Sequence, residues 1–238
     1  MATRLLEGDS ALVTGARQGI GQAIVQALKE EGAQVLGVDL DGADLQCDLT
    51  DSKGLKNLVD EAVKRLGKVS IFVHCASPPR READTILKVS EATWREMLEV
   101  NLNAGFLLSQ AFGRHMVENK IKGRMLIATS LHAEAPRNLP HYSASKGGQQ
   151  MLVRELARAL GPHGIRVNAI VPGAVPGGGF KGLPGLVEKI PLGRLGKPAD
   201  VAAMAIAVLS ERFGGYVTGA SIVVDGGLAL YNWIDAHE

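Results

Sequence analysis

The stretch Ser10-Ala11-Leu12-Val13-Thr14-Gly15-Ala16-Arg17-Gln18-Gly19-Ile20-Gly21 decides how the chain reads. Residues 10–14 are a short apolar run that stops at glycine, the pattern of a buried strand. Residues 21–31 then carry Ile24, Val25 and Leu28 at helical spacing. A strand that turns through three glycines into a helix suits one task in particular. Gly15 permits the tight turn, Gly19 lets the backbone approach a pyrophosphate, and Gly21 lets the helix pack closely on the strand. The first N–H groups of the helix have no partner within it and face the phosphates. The candidate phosphate loop is therefore Gly15, Arg17, Gln18, Gly19, Ile20 and Gly21.

Outward from this loop, short β-branched runs alternate with longer helical patterns. Strands are expected at 34–39, 69–74, 124–130, 165–171 and 221–225. Helices are expected at 55–66, 93–117, 143–160 and 199–209. That order predicts an α/β chain: a single Rossmann-type domain over 1–238, with a doubly wound parallel sheet of about seven strands and helices on both faces. One link is unusual. Between Asp39 and Asp48 there are only eight residues, too few for a crossover helix and its loops. The second strand must reach the next one through a short loop or a single helical turn.

Composition narrows the function classes. A net charge of +1 leaves no electrostatic footprint for nucleic acid, and no apolar run is long enough to span a membrane. The first eight residues lack the apolar core of a signal peptide. Two cysteines far apart in sequence, Cys47 and Cys75, read as reduced thiols of a cytoplasmic protein. No metal site is expected.

Asp39 closes the second expected strand, 18 residues after Gly21. An acid there accepts hydrogen bonds from both ribose hydroxyls of NAD and repels the 2′-phosphate of NADP. Asp41 and Asp44 add to that repulsion, and Arg17 opposes it. NAD is favoured.

Tyr142-Ser143-Ala144-Ser145-Lys146 places a phenol and an ammonium one turn apart on a helix. A lysine cation held beside a phenol favours the phenolate, which can exchange a proton with a substrate oxygen. Ser130, at a strand end just upstream, is placed to bond the same oxygen. Asn101 lies between Val100 and Leu102 in the long helical stretch; a buried Asn needs a partner, and a water relaying protons to Lys146 would supply one.

These residues form an ordered set: 14–21, Asp39, Cys47-Asp48-Leu49, Asn101, Ser130, Tyr142 with Lys146, Pro172-Gly173 and Val224-Asp225-Gly226-Gly227. The set resembles the classical short-chain dehydrogenase/reductase family over residues 6–227, in particular its glucose-dehydrogenase-like or 3-oxoacyl-reductase-like members. The resemblance implies that Tyr142 is the general acid/base, that Lys146 binds the nicotinamide ribose and favours the phenolate, that Ser130 orients substrate and that Asn101 completes a proton relay. It also implies adenine contacts from Asp48 and Leu49, an adenosine contact near Ala76, and a nicotinamide site lined by Pro172, Gly173 and Val175. A homotetramer is implied too, with the apolar faces of 93–117 and 143–160 and the tail 227–238 as candidate surfaces.

Four places depart from the family's pattern. His74-Cys75-Ala76-Ser77 stands where Asn-Asn-Ala-Gly is usual; only Ala76 is kept, and His74 is read as replacing a structural Asn hydrogen bond. Ser130 precedes Tyr142 by 12 residues where about 13 is usual, so Thr129 sits at the family count. Ser130 is preferred for its strand-end position and for the triplet Ser130-Leu131-His132, which together with residues 141–148 looks like glucose-dehydrogenase-type members. Val175-Pro176-Gly177 supplies no cofactor-binding Thr after Pro172-Gly173. Residues 177–190, with Phe180, Leu183 and Leu186, are expected to form a short substrate lid, or else to cover the enzyme's own core. His132, Glu134 and Arg137 are within reach of substrate but read more simply as solvated loop residues.

The leading expectation is an NAD(H)-dependent oxidoreductase that interconverts a small secondary alcohol, with a lean to sugars or polyols, and its carbonyl. The rivals are an NADPH-dependent 3-oxoacyl-type ketoreductase, which Asp39 opposes, and a nucleotide sensor on the same fold, which has no need of an activated phenol.

Overall fold

Strands β1 (Ser10–Thr14) and β4 (Ile71–His74) are buried along their whole length, and β5 (Arg124–Ala128) and β6 (Arg166–Pro172) at all but their first residue. Strands buried on both faces read as continuous apolar runs, and they require helices on each side. The computed structural model, which describes residues 4–177 and 180–230, has that arrangement. With β2 (Gln34–Asp39), β3 (Leu45–Gln46) and β7 (Ser221–Val224), the strands form one parallel sheet in the order β3-β2-β1-β4-β5-β6-β7.

The two faces follow from strand alternation. Ala11 and Val13 point to one side, where α1 (Gly19–Glu30) and α6 (Pro198–Leu209) bury Ile24, Leu28, Val201 and Ala205. Leu12 and Phe72 point to the other, where α2 (Ser52–Leu66), α4 (Ala104–Glu118) and α5 (Pro140–Leu160) bury Leu58, Phe112 and Val153. Phe72 and Phe112 stack with ring centroids 4.9 Å apart. Among the described residues no helix is long and apolar enough to cross a membrane.

The chain leaves β1 toward β2 and β3, then returns to build β4 to β7 on the other side. The order therefore reverses beside β1, and a crevice opens at the carboxyl ends of β1 and β4. Thr14, Asp39, His74, Ala128 and Pro172 end their strands on that edge.

The short link after Asp39 is a loop over 40–44 that delivers β3 parallel to β2, with Val38 opposite Leu45. Asp44 closes it: its Oδ2 accepts from Gly37 N at 2.8 Å, and its carbonyl accepts from Arg65 at 3.4 Å.

One expected element needs correction. The helix anticipated over 93–117 is broken. It runs as α3 (Glu91–Leu98), a π-turn over Glu99–Asn103, and α4. The widened turn, in which Ala104 N reaches back to Glu99 O, centres on buried Asn101. Sequence hydropathy shows the same apolar face in either geometry and does not reveal the break. Residue 130 also lies outside the strand expected at 124–130; β5 ends at Ala128, and Ser130 caps a single 3-10 turn, Leu131–Ala133.

In the segment expected as a lid, Gly177 and Phe180 bond each other's backbone at 2.9 Å in both directions. Residues 178 and 179 lie outside the described residues. Leu186 and Ile190 pack against Leu131, Val171, Ala174 and Leu228, so this half of the segment covers core, while Leu183 is exposed.

A side chain on Gly21 would fall inside the contact distance of Gly15 O and C. Gly21→Ala must push α1 off the sheet. Overpacking of this kind costs about 1–3 kcal/mol, read as a lowered urea midpoint with an unchanged slope.

Candidate active site

Helix α1 begins at the crevice without help. Its cap residue Gln18 makes no side-chain bond, and no acid lies in its first turn. Its leading N–H groups are free to meet an anion. Gly15, at φ +70, lies so close to β4 that a Cβ would sit 2.7 Å from Ala76 N. Gly19, at φ +60, is different: a Cβ there would meet no protein atom within 4 Å. A glycine whose Cβ position faces open space at an uncapped helix start leaves room for a phosphate beside the backbone. The residues therefore fit a dinucleotide.

Asp39 is fixed at the rim of this loop. Its Oδ2 accepts from Arg17 N at 3.0 Å and its Oδ1 from Leu40 N at 2.9 Å. The Arg17 guanidinium pairs with Asp41, so its charge is already answered. Asp44 is engaged with Gly37. Asp48 Oδ1 accepts from Thr50 N and Oγ1, which holds its carboxyl below the usual range, and Leu49 beside it is buried. Across the crevice, Gly173 lies against Asp225, where a Cβ would come 2.6 Å from Asp225 Cα. Pro172 pairs with Val224, and Val175 N bonds to Gly173 O at 3.1 Å.

Tyr142 and Lys146 lie in the first two turns of α5, which Pro140 opens. Both are buried, and Lys146 Nζ lies 5.5 Å from the centre of the Tyr142 ring. Lys146 Nζ donates to Ala128 O at 2.7 Å and to Gln149 Oε1 at 3.0 Å. Burial lowers its pKa; the neighbouring Tyr142 opposes that shift and Arg80 adds to it. The two candidate hydroxyls are distinct. Thr129 Oγ1 donates to Ile170 O at 3.2 Å and is tied into the sheet. Ser130 Oγ accepts from His132 N at 3.3 Å, which leaves its own proton for another acceptor.

Asn101 Nδ2 donates to Ser145 Oγ at 2.9 Å and to Met97 Sδ at 3.2 Å, while its Oδ1 is buried without a protein partner. Protein atoms also join Asn101 to Lys146. The link runs through Gln149, a residue the sequence reading missed. Gln149 Nε2 donates to Asn101 O at 2.7 Å while its Oε1 receives Lys146. The signal was available: Gln149 stands three residues after Lys146, on the same helix face.

His74 completes the network. Its Nε2 meets Asn101 O at 3.2 Å; a carbonyl only accepts, so Nε2 carries the proton and Nδ1 accepts from Thr14 Oγ1 at 2.9 Å. Thr14 Oγ1 in turn accepts from Cys75 N and Ala76 N, both at 3.3 Å. One hydrogen-bonded chain thus joins the backbone beside the glycine loop to the lysine. His132 stacks edge-on against Tyr142 at 5.1 Å, and Glu134 accepts from Gln150 at 2.8 Å, so neither is merely solvated.

A family model described as enoyl-(acyl carrier protein) reductase matches residues 15–229. The chain belongs to the short-chain dehydrogenase/reductase family. It is an oxidoreductase of the kind that acts on alcohol and carbonyl carbons with a nicotinamide nucleotide. Among its relatives, glucose 1-dehydrogenase 2 of Bacillus subtilis is 34% identical, covering 95% of this chain and 96% of that one. A 2-dehydro-3-deoxy-D-gluconate 5-dehydrogenase of Pseudoalteromonas atlantica is 32% identical over 93% and 96%. The crystal structure of a short-chain type dehydrogenase/reductase from Mycobacterium marinum superposes with a TM-score of 0.87 at 29% identity, covering 95% and 97%. Within this short-chain dehydrogenase/reductase, His74 and Gln149 form the network behind the lysine.

Burial pushes the His74 imidazole down from 6.5 to about 4, against the two carbonyls that favour its charge. The neutral ring is the stable form in the fold. Stability is complete above pH 6.5 and falls as the unfolded chain takes up a proton that the native ring refuses. Between pH 6.5 and 4 this costs up to about 3 kcal/mol. Urea midpoints at pH 7.5 and pH 5 should therefore differ less in His74→Asn than in the parent chain.

Proposed function

We propose that the protein is an NAD-linked dehydrogenase that oxidises a small secondary alcohol to the ketone, with Tyr142 as general base, and that it reduces the ketone in reverse with Tyr142 as general acid. The observation that carries this reading is the buried Tyr142–Lys146 pair on one face of α5, anchored to Ala128 at the end of β5, two residues before Ser130. When bound, the nicotinamide supplies the hydride acceptor. Tyr142 receives the hydroxyl proton as the carbonyl forms, and Lys146 holds positive charge beside the phenolate. Ser130 donates to the substrate oxygen, fixing it against the phenol. Gln149 holds the lysine on the far side and cannot itself pass a proton onward, because each amide group only donates or only accepts.

Two observations support NAD over NADP. Asp39 stands at the end of β2 with its carboxylate oriented by two backbone amides, and Arg17 is spent on Asp41. The phosphates would rest on the α1 N-terminus beside Gly15, Gly19 and Gly21. Asp48 and Leu49 would meet the adenine, and Pro172, Gly173 and Val175 the nicotinamide.

A homotetramer in the cytoplasm completes the proposal. Phe106 and Leu107 on α4 and Met151 on α5 are exposed apolar side chains on the helices expected to form dimer faces. Most of the expected tail surface, from 231 on, lies outside the described residues. Cys47 and Cys75 are free thiols, as a reducing compartment requires.

Steady-state oxidation of an alcohol panel, followed at the NADH absorbance, tests the chemistry. Tyr142→Phe should lower kcat by about 10²–10⁴ with nucleotide affinity retained; unchanged kcat refutes the mechanism. Asp39→Ala should raise the KM for NAD by about 10- to 100-fold, the loss of hydrogen bonds to a charged group, and should lower the value for NADP by removing the charge that repels its 2′-phosphate. Sedimentation of a monomer would refute the tetramer.

A further inference from the structure

The loop that follows β4 carries Arg80 into the active site, in a role no other residue there shares. Its guanidinium carbon lies 4.8 Å from the centre of the Tyr142 ring and 5.3 Å from that of Phe180. Two aromatic rings thus lie against one guanidinium. Yet Nε is buried with no partner, and among the described residues no carboxylate pairs with this side chain. A buried guanidinium nitrogen without a partner is costly, and a ligand that supplies an acceptor oxygen to Nε and a second to a terminal nitrogen of this half-exposed side chain relieves the cost.

The charges around it agree. Burial, then Arg80 and Arg137, push His132 down to about 4, and no acid acts on that ring. Arg80 also works against the charge of Lys146. Glu134 on the neighbouring loop keeps its charge while accepting from Gln150, and Asp84 acts on His141. At the Tyr142 ring itself Arg80 and Lys146 pair with no carboxylate among the described residues, a local field that attracts an anion.

We infer that Arg80 is a carboxylate subsite, and that the substrate is a small hydroxy acid whose carbinol oxygen meets Tyr142 while its carboxylate lies side-on against the Arg80 edge. This rests on the hydride-transfer reading and narrows it: a neutral sugar or polyol leaves Arg80 unpaired. Because the guanidinium lies over the ring that bears the reacting phenol, acid and carbinol are separated by few bonds. A planar fork matches a carboxylate in two parallel bonds, a geometry that Lys cannot reproduce.

Calorimetric titration separates this from turnover. Oxamate presents a carboxylate beside a carbonyl, and oxamide has the same skeleton without the charge. Both are titrated into the full chain, without nucleotide and at saturating NAD. The expected result is oxamate binding tighter than oxamide by at least about tenfold. Arg80→Met should erase that ratio and Arg80→Lys should keep only part of it, in variants whose melting temperatures show them folded. Equal binding of the two probes, no binding of either, or an unchanged ratio in Arg80→Met overturns the subsite. Inorganic phosphate binding tighter than oxamate overturns its assignment to carboxylates. In parallel, hydroxy acids should be oxidised with higher kcat/KM than their amides. If no alcohol is oxidised while the oxamate ratio holds, the dehydrogenase reading falls and the anion subsite stands.

Discussion

The carbonyl of Asn101 is the point on which the active site hangs. In a regular α-helix that oxygen would be spent on an amide one turn ahead. The π-turn at Glu99–Asn103 brings it within reach of two side chains from other elements, His74 Nε2 from β4 and Gln149 Nε2 from α5. A single acceptor with two lone pairs therefore ties the first half of the sheet to the helix that carries Tyr142 and Lys146. Widened turns of this sort recur at functional sites because they re-aim backbone groups without ending the helix. Here the effect is positional. Gln149 faces Asn101 with its amide nitrogen and Lys146 with its oxygen, so the ammonium is held from behind while Ala128 O holds it from the strand.

The same logic explains His74. An imidazole that must donate from Nε2 and accept at Nδ1 is useful only while neutral, and full burial keeps it so. Its Nδ1 receives Thr14 at the end of β1, and Thr14 receives the backbone amides of Cys75 and Ala76. Gly15 lies against those same residues, too close for any Cβ. The phosphate loop and the catalytic helix are thus fixed to one another through buried polar groups that have almost no freedom to shift, which is how a fold holds two ligand-facing parts in register.

Much of this was legible in the sequence, for physical reasons. Glycine positions, the acid at the end of β2 and the Tyr–Lys pair at four-residue spacing each express a local constraint: a backbone approach, a strand end, one helix face. The loop of 40–44 was legible from chain length alone. What lay beyond reading depends on direction rather than position. Thr129 and Ser130 are adjacent hydroxyls, and only the structure shows that one turns into the sheet while the other caps the next turn. The break at Asn101 leaves the hydropathy of 93–117 unchanged. Gln149 looks like any polar residue on a helix until Asn101 is seen opposite it. Arg80 sits in a loop without periodicity, and its place over Tyr142 comes from tertiary packing of Phe180, a hundred residues away in sequence.

The charge balance of the site has a further consequence. Lys146 is buried with two neutral acceptors and no carboxylate, and burial weakens its hold on its proton. The group that opposes this shift is Tyr142, so the lysine keeps its proton most firmly when the ring beside it is a phenolate. Among the described residues no carboxylate pairs with Lys146. The positive charge of the site is therefore held without a permanent counter-ion, and Arg80, against the same ring, adds to it.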